Sequence, residues 1–337
     1  MPDAYLIVGL VVILALVFDF INGFHDTANA IATVVSTRVL SPRVAIIMAA
    51  VLNVVGALVS TNVAKTIAGG LVKSGGATQT VILSAIVGAI VWNLITWKYG
   101  IPSSSSHALI GGIVGAALIH GGVKNILVGG VIQKVIIPLF TSPLVGFVLG
   151  FILMQTIFKL FARWHPGRVN TTFKKLQIVS AAWMAFNHGM SDAQKSMGII
   201  TMALVTGKFI HAADPTKPHV PLWVILTCAI TMGLGTSAGG WRIIKTMGHR
   251  IIRLEPVHGF AAEMTASMIL FITSRYAMPV STTHVISGSI FGVGASKRLS
   301  AVRWGVAQTM LMAWILTIPA SGIIAALTYG ALNLLIK

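Results

Sequence analysis

Apolar runs of about 20 residues, long enough to cross a lipid bilayer, recur from end to end of this 337-residue chain. Hydrophobic residues make up 55% of the chain and charged residues only 9%, and the mean hydropathy is +0.88. Soluble domains carry about 25% charged residues. Only helices and closed barrels satisfy the backbone in lipid, and the runs lack the short alternation of barrel strands. The sequence therefore predicts an all-α polytopic membrane protein.

The excess of basic residues gives the chain a formal net charge of +17. In a soluble protein such an excess would suggest nucleic acid as a partner. Here the basic residues gather in short loops, chiefly 159–175 and 241–253, as the positive-inside rule expects of cytoplasmic loops. We therefore expect a multi-pass protein of the plasma membrane (the inner membrane in bacteria) that has the lipid bilayer, and no nucleic acid, as a partner.

Two smaller features fit the same class of protein. The N-terminal segment lacks a basic region and a small-residue cleavage site, so we expect a retained first span and not a signal peptide. The single cysteine, Cys228, lies in an apolar run, where an inert buried thiol is expected.

The hydropathy pattern also predicts the topology of the first half. Its first three spans are expected near residues 4–36, 44–64 and 79–97. A short element at 102–120 is expected to dip into the membrane and return, and Pro138 and Pro143 are expected to divide 124–158 into two crossings. This count makes the number of crossings odd, so the second half would start from the opposite side, and Lys297, Arg298 and Arg303 would fall outside.

The second half resembles a copy of the first. Residues 102–115 align with 279–292 through shared proline, serine, histidine and glycine positions, and residues 20–26 align with 186–192. An odd span count with a repeated motif order predicts two inverted-topology repeats with broken or re-entrant helices at the membrane midplane. We expect the first repeat at 1–158, a basic cytoplasmic linker at 159–175 and the second repeat at 176–337.

Acidic residues are scarce, and four of them fall within or beside apolar runs: Asp19, Asp26, Asp192 and Glu263. An ionisable group at mid-membrane costs about 2.5–3.5 kcal/mol on insertion scales and usually faces a cavity or a partner. The alternative, a structural ion pair or an interfacial acid, stays open above all for Asp19 and Glu263. We expect Glu263 to join Asp26 and Asp192 in coupling to a cation or proton.

The motifs around Asp26 and Asp192 share the pattern Gly-x-x-Asp-x-x-polar, which ends at Asn29 in the first copy and at Lys195 in the second. Residues three apart share a helical face. Carboxylate and amide oxygens suit a hard cation, so Asp26, Asn29 and Asp192 are the predicted metal ligands. Lys195 offers a fixed ammonium in place of a cation, with a simple buried ion pair as the alternative.

Two hydroxyl-rich stretches, IPSSSSH and MPVSTTH, predict helix breaks followed by restarts. A restart aims free N–H groups and a positive dipole end at whatever precedes it, which suits a tetrahedral oxyanion such as phosphate. The alternative is that the hydroxyls bond back to their own helix. The predicted substrate-binding residues are Ser104, Ser105, Ser106, Ser281, Thr282, Thr283 and Lys195. His107 and His284, which end the stretches, are candidates for proton transfer or substrate contact.

The sequence does not indicate an enzyme. Residues 235–239 read GTSAG, but a nucleophile elbow needs a strand, a sharp turn and a helix, and this match ends an apolar run. The chain contains no P-loop, dinucleotide fingerprint or clustered Cys/His metal motif, so no catalytic residue and no cofactor is expected.

Four motifs in order, FHDTANAIATVVSTRVLSP, WNLITWKYGIPSSSSHALIGG, NHGMSDAQKSMGII and MPVSTTHVISG, resemble the inorganic phosphate transporter (PiT) family. The resemblance covers almost the whole chain. It implies phosphate uptake by a secondary transporter with inverted repeats, and a homodimer. Asp26, Asn29 and Asp192 match the family's cation- and phosphate-binding positions, and the hydroxyl stretches match its hydroxyl loops. Lys195 departs from the sodium-type pattern, which carries asparagine in both copies.

Charge counting predicts coupling. Two carboxylates and a phosphate exceed the single Lys195 charge, and residual charge is costly in low dielectric. We expect phosphate to enter with H⁺ or as a neutral divalent-metal–phosphate complex, so H⁺, a divalent metal or Na⁺ is the co-transported ion. A Na⁺-coupled phosphate symporter and a sulfate permease are the nearest alternatives. An anion channel, and an intramembrane hydrolase using SSSSH with Asp26, are alternatives from other classes.

Overall fold

The structure is a computed structural model that describes residues 2–73, 75–211 and 218–335. In the first half the α-helices are α1 (Pro2–Ser36), α2 (Pro42–Ala57), α3 (Asn62–Gly69), α4 (Gln79–Tyr99), α5 (Ser105–Gly121), α6 (Val128–Val131) and α7 (Ile137–Leu160). In the second half they are α8 (Pro166–Thr206), α9 (Leu222–Ala238), α10 (Trp241–Lys245), α11 (Pro256–Arg275), α12 (Thr282–Lys297) and α13 (Trp304–Leu335).

Short irregular helices link some of these elements. π-helical turns at Ile132–Ile136 and Thr246–Arg250 follow α6 and α10, and 3₁₀ turns lie at Val123–Asn125 and Leu299–Ala301. Within the described ranges the only β-type pairing is an isolated bridge between Val72 and Ile126. The predicted all-α class is confirmed.

Many of these helices are long and apolar enough to cross a membrane. Among the described residues five helices qualify alone, and up to seven spans result if each of two bent pairs is counted as one span. The α2–α3 pair bends by 68° and the pair formed by α9 and Trp241–Arg250 bends by 60°. The bends occupy the same place in the two halves, so the predicted span at 44–64 is a broken one. The prediction of a multi-pass membrane protein with broken helices is confirmed.

The predicted division of 124–158 into two crossings is wrong. Val128–Leu160 forms one candidate span, with Pro138 at the start of α7 and Pro143 inside it. Proline costs least in the first turn of a helix, where its missing N–H has no partner to lose, and the π turn precedes Pro138. At Pro143 the helix continues because it is packed: Gly288 of α12 lies directly against the Pro143 carbonyl.

The 102–120 element does not dip and return within itself, because it makes only the returning half of a path that α4 begins. Gln79, at the start of α4, donates to Ala203 near the end of α8, and Thr96, near the end of α4, already lies beside His25 at the centre, with the Gly100 carbonyl accepting from Thr246 just beyond it. Beyond α5, Asn125 accepts from the Lys73 N–H, back at the first end. Helix α5 therefore runs one way, from the centre of the molecule, where Ser105 contacts Asp26, to the end at which α4 begins. Because α4 and α5 together start and finish at the same end, the first half still makes an odd number of passages.

The equivalent helices α1 and α8 run antiparallel. Asp19 contacts Ser196 at 2.8 Å, Asp26 lies near Lys195, and Thr37 contacts Gln177 at 2.9 Å, so α8 numbering falls as α1 numbering rises. Equivalent elements in opposite directions are what an inverted repeat requires. The prediction of inverted-topology repeats is confirmed.

The basic loops 159–175 and 241–253 lie at one end of the molecule, which the positive-inside rule assigns to the cytoplasm. We call it the cytoplasmic end and the other the external end. Arg303 donates its N–H to the Ile251 carbonyl at 3.0 Å, and the Lys297 ammonium lies 4.0 Å from Glu255. The basic cluster expected outside therefore lies at the cytoplasmic end, because α12 runs from the centre back to the end at which α11 begins.

The predicted repeat boundaries fall near the junction of α7 and α8. Helix α7 ends at Leu160 and α8 begins at Pro166, so the second part of the 159–175 linker is already helical. The division into repeats at 1–158 and 176–337 stays a prediction.

Glycines allow backbones to touch where equivalent helices cross. Gly189 of α8 lies against the Asn53 backbone of α2, and Gly235 of α9 lies against the Phe20 backbone of α1. Gly115 of α5 lies against Gly322 of α13. Small residues let membrane helices approach closely enough for dispersion contacts to hold them together. These crossings position the central site.

Gly115→Ala should lower thermal stability, because the added Cβ would overlap the Gly322 backbone. The expected loss is about 1–3 kcal/mol, the usual cost of overpacking. Thermal unfolding of the purified protein in detergent measures it. Gly330→Ala in α13 is the matched control, since no atom lies within 4 Å of its added Cβ. Equal stability of the two variants would contradict the close-contact interpretation.

Candidate functional site

Four helix segments meet at the centre of the molecule: the middles of α1 and α8 and the N-termini of α5 and α12. The serine hydroxyls that precede the two short helices cap them in the same way. Ser104 accepts the N–H of His107 and Ser281 accepts the N–H of His284, each at 3.2 Å. For these two serines the alternative expectation holds, namely that the hydroxyl bonds back to its own helix. The hydroxyls that follow them reach other helices.

Asp26 of α1 is held from two sides. The Ser105 hydroxyl donates to its Oδ2 at 2.5 Å, and His25 Nδ1 lies 2.8 Å from its Oδ1. His25 Nε2 lies 3.0 Å from the Thr96 hydroxyl, which also accepts from Ser103. All of these side chains are buried. This chain ties the carboxylate of α1 to α4 and to the segment that leads into α5.

Asn29 joins the other hydroxyl stretch. Its amide nitrogen donates to the hydroxyls of Thr283 at 2.9 Å and Thr282 at 3.2 Å. Thr282 in turn lies 3.4 Å from Asp192 Oδ2. The first-copy Asp-Asn motif therefore contacts α5 through Asp26 and α12 through Asn29, so one face of α1 holds both helix N-termini.

Lys195 lies between the two motif carboxylates. Its ammonium is 2.8 Å from Asp192 Oδ2 and 3.7 Å from Asp26 Oδ2, and the residue is only 2% exposed. A buried charge is tolerable when partners of opposite sign surround it. The ammonium thus occupies the position between the two carboxylates that would otherwise suit a free cation.

His188 completes a possible donor set that sequence reasoning missed. Asp26, His188 and Asp192 each offer one ligand atom, and these atoms lie within 4.8 Å of one another. The predicted set was Asp26, Asn29 and Asp192, and its role stays a prediction. Two carboxylates and an imidazole fit a divalent transition metal. The sequence feature that could have identified His188 as a candidate ligand is its position one helical turn before Asp192.

His107 and His284 meet each other behind the carboxylates. Their ring centroids are 4.9 Å apart, and His284 stacks on Trp314 with centroids 4.1 Å apart. Neither ring nitrogen of His107 has a hydrogen-bond partner among the described residues. The structure thus brings the two histidines together at the junction of the repeats. Their role in proton transfer or substrate contact stays a prediction.

Glu263 lies apart from the central site. It accepts hydrogen bonds from Thr33 at 2.5 Å, from Gln177 at 3.2 Å and from Ser180. Thr33 follows Asp26 by about two turns of α1. The structure therefore does not bring Glu263 to Asp26 and Asp192, and its assignment to coupling stays a prediction.

Two neighbouring cavities open near the external end. One, of about 250 Å³, reaches Met190, close to Asp192 on α8, and the other, of about 610 Å³, is lined by Lys65, Lys134 and Arg275. Asn62 and Arg275 line both. The larger cavity has no acidic residue in its lining. A basic cavity of this kind attracts anions.

The profile of the phosphate transporter family matches residues 22–325, which include both Asp motifs and both hydroxyl stretches. The chain belongs to this family. It is 52% identical to a probable low-affinity inorganic phosphate transporter of Bacillus subtilis (strain 168), with 97% of each chain covered. It is 47% identical to a protein of the same description from Rhizobium meliloti (strain 1021), covering 98% of this chain and 97% of the relative.

A solved structure confirms the fold of this family member. The chain resembles "The sodium-dependent phosphate transporter" with a TM-score of 0.86 at 23% sequence identity, covering 97% of this chain and 99% of the other. The family and its relatives are transporters, so the predictions of membrane transport and of no enzymatic activity are confirmed. The GTSAG match agrees, because it ends α9 at Gly239, a turn residue with φ of 72°.

Lys195→Met should destabilise this transporter strongly, because it leaves Asp26 and Asp192 without their shared cation. Removing one partner of a buried ion pair costs about 3–5 kcal/mol. Thermal unfolding in detergent measures the loss. The double variant Lys195→Met with Asp192→Asn should recover much of it, since it removes a positive and a negative charge together. Equal stability of the single and double variants would contradict the pairing.

Proposed function

We propose that this protein is a secondary active transporter that imports inorganic phosphate, either coupled to H⁺ or as a neutral divalent-metal–phosphate complex. The observation that supports it best is the Lys195 ammonium between Asp26 and Asp192, beside the N-termini of α5 and α12. That site offers donors for an oxyanion and acceptors for a cation or proton within one buried cluster. The relatives named above, probable phosphate transporters, agree with phosphate as the substrate.

Phosphate would lie among the hydroxyls and N–H groups at the start of α5 and α12. Ser105, Ser106, Thr282 and Thr283 belong to the first turns of the two helices, where free N–H groups and the positive dipole end favour an anion. The Ser106 hydroxyl has no partner among the described residues, so it is free to bond to substrate. Lys195 supplies the fixed charge.

Sulfate is the nearest alternative substrate, and the carboxylates disfavour it. Phosphate near neutral pH still carries a hydroxyl that donates a hydrogen bond, whereas sulfate has no proton to donate. A carboxylate of Asp26 or Asp192 accepts such a bond and repels an anion that lacks it. Sites built to pair a donor reject analogues without it by large factors. Phosphate is therefore the proposed substrate.

Charge balance supports H⁺ or a metal complex over two sodium ions. Lys195 already provides one positive charge between the carboxylates. A bound phosphate would still leave an excess of negative charge, which a proton or a divalent cation carried with the substrate offsets. The donor set of Asp26, His188 and Asp192 suits a divalent cation arriving as cargo. Sodium coupling is the alternative, since the structural relative is sodium-dependent.

Alternating access would rock one inverted repeat against the other around this central site. The bends between α2 and α3 and between α9 and α10 both lie at the level of this site, because Val63 after the first bend donates its N–H to Gln194 and Gly240 at the second lies against the Phe24 backbone. We also propose a homodimer, which the mass of the protein in lipid nanodiscs would test.

Asp26→Asn and Asp192→Asn should each lower phosphate uptake into proteoliposomes by at least about 100-fold, because each removes an acceptor that only one amide oxygen replaces. Uptake of labelled phosphate is measured with an imposed pH gradient, with and without Mg²⁺, and separately with a Na⁺ gradient. Glu255→Gln is the control, since this acid is exposed at the cytoplasmic end. Uptake driven by Na⁺ and indifferent to pH would contradict proton or metal-complex coupling.

Competition decides between the two oxyanions. Unlabelled phosphate should block uptake of labelled phosphate, whereas sulfate at tenfold higher concentration should leave it nearly unchanged. Equal inhibition by the two anions would favour the sulfate permease alternative.

Arg275→Gln combined with Lys134→Gln should raise the KM for phosphate several-fold and leave kcat nearly unchanged. The two cations line the external basic cavity, outside the central site, and would concentrate the anion there. The effect should shrink at high salt, since screening weakens such attraction. Lys124→Gln is the matched control, because it removes an exposed charge that does not line the cavity. The same KM in the double variant and the wild type would contradict this role.

A further inference from the structure

Asp19 of α1 is a fully buried carboxyl group outside the central site, and half of it is unpaired. Its Oδ1 accepts a hydrogen bond from Ser196 of α8 at 2.8 Å. Its Oδ2 is buried and has no hydrogen-bond partner among the described residues. A buried ionised carboxylate normally accepts several hydrogen bonds or contacts a cation. Asp19 as an anion would lack both.

A second unpaired oxygen lies on the same helix face. Asn22 is fully buried, and its Oδ1 also has no partner in the part of the chain that the structure describes. Its Nδ2 faces the thioether sulfur of Met232 in α9 at 3.9 Å. Residues three apart on a helix are neighbours. The α1 surface therefore presents two neighbouring side chains, each with a buried oxygen that has no donor among the described residues.

The groups around Asp19 do not supply a counter-charge. From α8 it faces Lys195 and Asp192, and from α9 it faces the thiol of Cys228. The Lys195 ammonium is 2.8 Å from Asp192, and no described cation lies within 4 Å of Asp19. The Asp192 carboxylate opposes a negative charge on Asp19 and so offsets the attraction of Lys195.

Glu263 is a second buried carboxyl group outside the central site, and it has more hydrogen-bond donors than Asp19. It is also fully buried and also lies about two turns of α1 from Asp26, on the cytoplasmic side. Three donors, Thr33, Gln177 and Ser180, saturate its two oxygens. Asp19 has one donor for two oxygens. Glu263 therefore has a donor on each oxygen, whereas Asp19 leaves one oxygen without any donor among the described residues.

We propose that Asp19 binds the coupling proton. A proton on Oδ2 converts one of the two unpaired acceptors into a donor, and the Asn22 amide oxygen is the adjacent acceptor that it satisfies. Ser196 stabilises the group when the proton leaves, because its hydroxyl donates to the carboxylate. The step is proton binding and release only: one H⁺ is taken from external water and the same H⁺ is delivered to the cytoplasm.

The position of Asp19 connects this proton to phosphate. Asp19 precedes Asp26 by seven residues, which places it on nearly the same face of α1, about 10.5 Å toward the external end. Its partner Ser196 adjoins Lys195 in the chain. Loss of the proton would place a third carboxylate anion near Lys195, in addition to Asp26 and Asp192, and weaken the attraction of Lys195 for phosphate. The inference rests on the proposed function and names the group that makes the transport proton-coupled.

Asp19→Asn tests the proposal, because asparagine keeps the shape of the side chain and cannot carry the proton. In proteoliposomes with an acidic exterior, the variant should lose accumulation of labelled phosphate by at least tenfold. Phosphate–phosphate exchange at equal pH moves no net proton, so it should stay within about threefold of wild type. Loss of accumulation with retained exchange separates coupling from damage to the fold or the binding site.

Two further variants control the result. Cys228→Ala changes a neighbour of Asp19 without removing a proton site, and it should accumulate phosphate like the wild type. Ser196→Ala removes the hydroxyl that stabilises the charged form. It should move the midpoint of the uptake-versus-pH curve to higher pH by about half a unit to one unit, the size of one hydrogen bond. This shift also tests the proposal if Asp19→Asn fails to fold.

Different results would overturn the assignment of Asp19 and the proposed function. Gradient-driven accumulation by Asp19→Asn at the wild-type level would overturn the assignment, as would an unshifted midpoint in Ser196→Ala. Equal loss of exchange and accumulation in a folded Asp19→Asn would also overturn it, since Asp19 would then serve binding. Failure of the wild-type protein to take up phosphate at all would instead refute the proposed function.

Discussion

The contact of Lys195 with Asp26 and Asp192 is the constraint on which the centre of this protein depends. Three charged groups lie where water is scarce, so each must find opposite charge or a donor within a few ångströms. The two carboxylates belong to equivalent helices of the two repeats, which meet antiparallel at this level. The ion cluster therefore fixes how α1 and α8 cross, and the remaining helices pack around that crossing.

The short helices α5 and α12 owe their position to the same cluster. Each begins at the level of the carboxylates, and each is held there by a hydroxyl contact, Ser105 to Asp26 and Thr282 to Asp192. Their first N–H groups thus point into the space that the charged groups surround. Cation-attracting carboxylates and anion-attracting helix ends are combined in one buried volume, which is the arrangement that co-transport of an anion with a proton or metal requires.

Two further carboxyl groups flank this centre. Asp19 of α1 lies toward the external end, and Glu263 of α11, which contacts α1, lies toward the cytoplasmic end. Glu263 is saturated by donors, whereas Asp19 is paired through one oxygen only. The inverted repeat relates the helices but not these side chains. The asymmetry matters because a transporter must distinguish its two sides, and a proton site on the external side alone of the central cluster supplies such a distinction.

The sequence by itself determined the membrane class, the repeated motifs and the identities of Asp26, Asp192 and the hydroxyl stretches, because hydropathy and motif order are local properties. It could not show that α5 and α12 each return from the centre to the end where the preceding helix begins, or that Val128–Leu160 is one span, since both depend on which helices pack beside them. His25, His188 and the unpaired state of Asp19 were equally out of reach. Only the tertiary structure decides which buried polar groups find partners, because those partners lie on helices distant in the chain.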